Sequence, residues 1–387
     1  MPTTVLYISE DYPYTQVHHN LCQSICTRSD ETNILVYCVI RRGIHVRDLR
    51  KHYHNINYGT LFYEFKGNEW RYKFDFFYKT RKKYAWLIKN CDISTIALTH
   101  AATLFSEGVI SLKLYKKYGI PYIVSVRGSD LNFYFKFMPY LWKLGMDILK
   151  HAKRIVFITE RSSKQLLKKN ILSPITEDIK KRSLILPNGI DSFWIKNVFD
   201  KRTIDVSQLA SNADNTLPHR LLYIGLFDSN KNVTALQQEV IKLHQKFKNL
   251  HLTLIGGGGN RHNQVLKYCQ KYPNLFEYKG KIYDKTVLLD IIRAHNIFTM
   301  ISHSETFGLV YIEALSQGLP VLYTIGQGID GVFHEKIGEA VNSHDRKDIA
   351  RGLTKMILNY NDYHPVDNIM QFSWAEIARQ YITLAYQ

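Results

Sequence analysis

Short runs of four to six apolar residues alternate along most of the chain with longer stretches in which apolar positions recur every three or four residues. In the first half the short runs fall at residues 5–9, 33–40, 122–126 and 154–159, and a further one lies within 92–100. Helix-period stretches at 15–28, 104–118 and 139–151 separate them. Period-two or wholly apolar runs between amphipathic segments predict parallel strands connected by helices, a doubly wound α/β arrangement. A short strand at 183–186 ends in Pro187-Asn188-Gly189, which is turn chemistry, and residues 192–218 turn polar, as expected of a linker or insertion. The alternation restarts at 220–225, followed by a helix to 247, a strand at 251–255, Gly256-Gly257-Gly258-Gly259, a helix at 284–295 and a strand at 297–301. A last helix is expected from Phe372 to Tyr386.

The 297–301 strand feeds a polar turn, Ser302-His303-Ser304-Glu305-Thr306-Phe307-Gly308, and then a helix-period stretch from Leu309 to Ser316. In such units ligands bind where the strand's carboxyl end meets the first helical turn. Amides near Phe307, Gly308 and Leu309 are expected to point out of the helix start, where they favour an anion, and Gly308 admits close approach to the backbone. Glu313 follows Glu305 by eight residues, which places it roughly 12 Å further along a helix axis. Two carboxylates so spaced suit the two ends of one elongated, polyhydroxylated ligand with an anionic middle. They equally suit one capping and one solvated glutamate.

A chain of 387 residues has length for two or three domains and ample core. The net charge of +17 is uneven: residues 1–186 hold 30 Lys/Arg against 15 Asp/Glu, whereas 187–387 hold 21 against 19. Thirteen basic and four acidic residues lie between 41 and 90, interleaved with Trp70, Tyr72, Phe74, Phe76, Phe77, Tyr78, Tyr84 and Trp86. Basic residues among aromatics suit an interfacial membrane contact or nucleic acid, or a charged helix face whose aromatic side is buried. An anionic membrane surface is the expectation here, through the basic N-terminal half, with no nucleic-acid partner. The five cysteines are scattered without a CxxC pair, which points to buried thiols in a reducing cytoplasm. No apolar run approaches a membrane span, and the first ten residues read as a strand rather than a signal peptide.

Glu305-x7-Glu313 with Thr306-Phe307-Gly308-Leu309 inside it, followed by Ala314-Leu315 and Gly318-Leu319-Pro320-Val321, resembles the signature of glycosyltransferase family 4. The resemblance extends from the first strand to the last helix. It implies the GT-B fold: an N-terminal acceptor-binding Rossmann-like domain over residues 1–186 and a C-terminal nucleotide-sugar-binding one over 187–371, facing across a cleft. The helix at 372–387 is then expected to cross back to the N-terminal domain. It implies a retaining, metal-independent hexosyltransferase with a nucleotide-sugar donor, UDP- or GDP-linked, and no cofactor. Glu305, Lys231, Arg127 and Asp130 are the implied catalytic set. Donor contacts are implied for Gly225, Lys231, Gly256, Gly258, Ile282, Glu305, Thr306, Phe307, Gly308, Leu309 and Glu313.

On the acceptor side the resemblance implies His100, Arg127 and Gly128. Arg127 stands where the family usually has histidine, and an arginine suits a phosphate-bearing acceptor. Thr15 and Gln16 are expected to donate hydrogen bonds in place of the family's Gly-Gly loop, and Leu226 stands where an arginine is common. A satisfied structural role for His100 and a turn-capping role for Asp130 stay open. A glycan or lipid-linked acceptor, in surface-polysaccharide assembly at the inner face of the cell membrane, completes the expectation. A nucleotide-sugar epimerase of the same fold and a basic nucleic-acid-binding protein are the alternatives.

Overall fold

The structure, a computed structural model, describes residues 3–40, 56–64, 69–200 and 220–387. Residues 41–55 and 65–68 of the basic-aromatic stretch and 201–218 of the polar linker lie outside the described residues. The chain divides into two compact units, residues 1–189 with Trp374–Gln387, and Ile190–Ser373.

The first unit is built on a seven-stranded, all-parallel sheet. Its strands in chain order are β1 (Thr3–Ile8), β2 (Thr32–Ile40), β3 (Gly59–Glu64), β4 (Leu98–Ala101), β5 (Tyr122–Val126), β6 (Arg154–Phe157) and β7 (Ser183–Ile185). They lie side by side as β3-β2-β1-β4-β5-β6-β7. Parallel sheets need both faces covered, and alternate β1 residues show it. Leu6 and Ile8 join one core with Leu104, Phe105, Val124 and Ile148, while Val5 and Tyr7 join another with Leu21, Cys22 and Ile25. The second core also contains Trp374, Ile377, Ala378 and Tyr381, so the C-terminal segment covers the sheet of the N-terminal unit beside the Gln16–Arg28 helix.

The second unit repeats the plan with six parallel strands: β8 (Arg220–Gly225), β9 (His251–Gly256), β10 (Phe276–Tyr278), β11 (Ile297–Thr299), β12 (Val321–Thr324) and β13 (Gly338–Val341). Their order is β10-β9-β8-β11-β12-β13. In each sheet the winding direction reverses beside the first strand, between β1 and β4 and between β8 and β11. Open α/β sheets bind ligands outside the carboxyl ends of the strands at that reversal.

The expected elements are found within a few residues of their predicted bounds, and both expected doubly wound units are present. Strands β3 and β13 are additions. Each is an edge strand, and β3 runs through the basic-aromatic stretch as Gly-Thr-Leu-Phe-Tyr-Glu with little buried surface.

Candidate functional site

In the second unit the loop after β8 carries Lys231 and the turn after β11 carries Glu305. Both sit at the reversal of strand order. Their side chains form an ion pair, Nζ to Oε2, at 2.6 Å, with 20% and 13% of their surfaces exposed. Lys231 Nζ also lies 4.0 Å from Met300 Sδ. Asp228 Oδ1 accepts the Lys231 amide at 2.8 Å and Asn232 adopts φ 56°, so the loop turns sharply around the lysine.

Asn230 fastens this loop to the Glu305 turn. Its Nδ2 donates to Ser304 O and its Oδ1 accepts from Ser304 N, both at 2.9 Å, and its carbonyl accepts the His303 amide at 2.7 Å. Gln327 Oε1 accepts the Glu305 amide at 3.1 Å, and the Gly328 amide donates to Glu305 O at 2.9 Å. Glu305 is therefore gripped through its backbone while its carboxylate faces the lysine. Asn230 and Gln327 escaped the sequence reading. The adjacency of Asn230 to Lys231 was the one available signal, because Gln327 reaches the turn only through tertiary folding.

Leu309–Leu315 forms a helix of seven residues, with Gly308 at its start in the left-handed region, φ 75°. A Cβ there would sit 2.6 Å from Tyr311 Cδ2, so the position needs glycine on two counts. Tyr311 in turn donates from its buried hydroxyl to Met300 O at 2.5 Å, locking helix to strand end. Thr306 is exposed, and its amide donates to Glu305 Oε1 at 3.1 Å. Phe307 is buried. Among the described residues the amides of Phe307, Gly308 and Leu309 meet no acceptor.

The glycines close the other side. Gly256, at φ 127°, lies so close to β8 that a Cβ would stand 1.9 Å from Gly225 O. Gly257 N donates to Gly225 O at 3.3 Å, and Phe227 N to Gly258 O at 3.2 Å. Gly256 N donates to Gly280 O at 2.7 Å, which brings in the segment holding half-buried Ile282. Gly225, Lys231, Gly256, Gly258, Ile282 and Glu305 thus gather at the carboxyl ends of β8, β9, β10 and β11. Leu226 is exposed beside them.

Glu313 lies further along the helix, near Asp191 and Lys285, which pair at 2.5 Å. Burial, reinforced by the Asp191 charge and opposed by Lys285, pushes its carboxyl up to about 7.

The first unit places its candidates differently. Asp130 is fully buried, and its carboxylate accepts the amides of Arg127 at 2.8 Å, Leu104 at 3.1 Å and Phe105 at 3.2 Å. Burial raises its carboxyl to about 6 against the lowering pull of those amides. It fastens the loops after β4 and β5, the turn-capping arrangement that the sequence left open for it. Arg127 donates from Nε to Ala102 O at 3.3 Å and from Nη1 to Asn188 Oδ1 at 3.1 Å, while Gly128 next to it is half-buried. His100 is wholly buried, with Nε2 3.1 Å from Ser125 Oγ and Nδ1 3.0 Å from Tyr386 Oη. Burial and the Arg127 charge hold it neutral, far below the usual imidazole range. It is packed within the first unit with both ring nitrogens partnered, the satisfied arrangement that the sequence left open for it. Thr15 accepts the Val17 amide at 3.3 Å as the cap of the Gln16–Arg28 helix, so its hydroxyl serves the backbone, and Gln16 stands exposed in the first turn.

The reversal point of the first sheet holds a charge network that the sequence did not disclose. Glu10, just past β1, accepts Lys79 at 2.9 Å, Lys83 at 3.0 Å and the Tyr72 hydroxyl at 2.8 Å. The Glu10 amide donates to Glu107 Oε1 at 3.3 Å. Burial acts to raise the Glu10 carboxyl, but Lys83 and Lys79 overcome it and hold the group ionised. Glu107, with no lysine paired to it among the described residues, is pushed by burial up to about 7.

Residues 218–359 match the family described as glycosyl transferases group 1. A probable sucrose-phosphate synthase of Arabidopsis thaliana is 31% identical over 43% of this chain and 18% of its own length. The chain therefore spans less than a fifth of that plant relative. A protein named as an uncharacterized glycosyltransferase of Methanocaldococcus jannaschii is 24% identical over 65% of this chain and 64% of its own. Among solved structures, sucrose-phosphate synthase from Thermosynechococcus elongatus superposes with TM-score 0.68 at 16% identity, covering 100% of this chain and 98% of that one. Anabaena HepE, solved with UDP and glucose, gives 0.66 at 14% identity, covering both chains fully. The fold is that of the GT-B glycosyltransferases. Within it, the match to glycosyl transferases group 1 falls on residues 218–359, in the second unit.

Proposed function

We propose that the protein is a retaining glycosyltransferase that moves a hexosyl group from a nucleotide-sugar, UDP-linked in the first instance, to an acceptor hydroxyl. The observation that carries this reading is the Lys231–Glu305 pair at the β8–β11 reversal. Anabaena HepE, of the same fold, is solved with UDP and glucose, which supports the uridine choice.

In this reading the donor enters between the paired charges. The Lys231 ammonium turns to the diphosphate and offsets the charge that develops as the sugar–phosphate bond breaks. The Phe307, Gly308 and Leu309 amides supply further donors. Glu305 accepts hydrogen bonds from sugar hydroxyls, and Glu313, as a carboxylate, accepts them from the ribose. The acceptor oxygen bonds to the anomeric carbon on the face the leaving group vacates. Its proton passes to a donor phosphate oxygen, and the products are the glycoside and the nucleoside diphosphate. Charge neutralisation falls to Lys231 and amides rather than to a metal ion.

The acceptor is proposed to be a lipid-linked or surface-glycan intermediate presented at the inner face of the cell membrane. The excess of 30 basic over 15 acidic residues in the first half supports an anionic partner there. Thermal-shift measurements with UDP-, GDP-, ADP- and dTDP-sugars test the donor. UDP-sugars are expected to raise the melting temperature, and Lys231→Ala is expected to abolish the shift. A chain indifferent to all four overturns the reading.

A further inference from the structure

Most of the large apolar side chains that reach the surface of the first unit are aromatic, and six of them share one region. Trp70, Phe74, Phe77, Phe133, Phe137 and Tyr140 are each between 48% and 69% exposed. They come from two segments far apart in sequence, the start of the Phe76–Asn90 helix with the short Glu69–Phe74 helix before it, and the helical turns at 130–141.

Ring contacts join four of them, and the other two pair with each other. Phe77 lies 6.4 Å from Tyr140 and packs edge-on against Phe76 at 5.5 Å. Phe76 is edge-on to Tyr134 at 6.0 Å, Tyr134 to Phe133 at 5.5 Å, and Phe133 lies 5.9 Å from Phe137. Trp70 and Phe74 pair at 5.7 Å just before the helix cap. Singly exposed aromatics are ordinary, whereas four exposed rings joined through shared contacts, with a further exposed pair just before the same helix, mark a surface that meets a partner.

Cations border the rings. Lys136 lies 5.2 Å above Phe137, and Arg71 lies 4.5 Å from the centre of the Tyr78 ring. Residues 131–143 contain Lys136 and Lys143 and no acidic residue. Asp75 nearby is committed to Arg71 at 3.2 Å and to the Tyr78 amide at 2.9 Å. Beneath the patch, the Glu10–Lys79–Lys83 network ties the Phe76–Asn90 helix to the end of β1, so the rings stand on a fixed support.

We infer that this face docks on an anionic lipid bilayer, with the six rings entering the boundary between headgroups and acyl chains and Lys136 meeting lipid phosphates. Four of the six rings are phenylalanines, which offer no hydrogen bond and gain most from an apolar phase. The tryptophan and tyrosine suit the interface itself. Long basic side chains at the rim reach headgroups while their stems cover the rings. A nucleic-acid partner would instead favour aromatics set along a basic groove. The inference deepens the membrane-side part of the proposed function and rests on it for its purpose, though not for its geometry.

The test is co-sedimentation of the full chain with phosphatidylcholine vesicles, with and without phosphatidylglycerol, and with duplex DNA as competitor. The wild type is expected to bind the anionic vesicles selectively. Trp70→Ser/Phe77→Ser/Phe137→Ser should lose about tenfold or more in partitioning, and Lys136→Gln about fivefold. The same variants should keep the wild-type melting temperature and the thermal shift with UDP-sugars, which separates a failed surface from a failed donor site. No vesicle binding by the wild type, equal binding to neutral vesicles, or undiminished binding by the triple variant overturns the inference. So does capture of DNA in place of vesicles, lost in the triple variant.

Discussion

Lys231 and Glu305 hold each other's charge, and in the proposed reading each turns to the donor. Removing one leaves the other partly buried without its counter-ion, which costs stability as well as chemistry. Lys231→Ala is expected to lower kcat by about a hundredfold, from lost diphosphate stabilisation. Glu305→Ala is expected to fall comparably through lost sugar positioning. Steady-state rates with the donor found by thermal shift decide both, and full activity in either variant rejects its assigned role. Glu313 permits a test that needs no substrate. Its carboxyl is raised from 4.5 to about 7, so between those values the folded chain holds a proton that the unfolded chain has released. Its contribution therefore lowers stability as pH rises through that window, and the loss is complete above 7. Glu313→Gln should flatten this decline and melt higher than the wild type at pH 8; identical pH profiles of melting temperature would show that the carboxyl is not raised.

At the scale of elements, the donor-side loops are shaped by backbone contact more than by side chains. Gly256 is held where a Cβ would overlap the carbonyl oxygen of Gly225, so Gly256→Ala must push the ends of β8 and β9 apart. Gly308→Ala would set an alanine in a left-handed conformation against the Tyr311 ring, at a cost of about 1–3 kcal/mol. Both variants are expected to lower the melting temperature, and Gly256→Ala also to weaken donor binding in titration calorimetry. Asn230→Ala removes two hydrogen bonds between the Lys231 loop and the Glu305 turn and should reduce kcat severalfold with little change in melting temperature. The strand–turn–helix around Glu305 was legible because its residues are contiguous and its motif long. The run of glycines was visible only as a turn, since nothing in Gly-Gly-Gly-Gly says which one meets a neighbouring strand. The edge strands β3 and β13 were unread for a related reason: edge strands bury little, so their hydrophobic pattern is faint.

At the scale of the molecule, the N-terminal unit is completed by the last residues of the chain. Trp374, Ile377, Ala378 and Tyr381 lie in the same core as Val5, Tyr7 and Leu21, and Tyr386 reaches His100. Ending the chain at Ser373 would uncover that sheet face and leave His100 without one partner. The truncated protein is expected to show rapid proteolysis within residues 1–189 while the second unit persists, read by mass spectrometry of the fragments. Survival of both units would show that the segment is dispensable. The +17 charge divides just as unevenly between the halves, with its excess in the half that also bears the exposed rings.

The sequence by itself determined the repeated strand–helix plan, the two-unit division and the family of the Glu305–Glu313 segment, because each is written in residues close together along the chain. Tertiary structure alone decided which charges are free. It spent Asp130 on three amides, sealed His100 among aromatics, buried Lys83 against Glu10 and left Lys231 facing Glu305. Burial and partner sets are sums over segments distant in sequence, and the same residue type becomes a fastener or a reactive group according to what the fold brings against it.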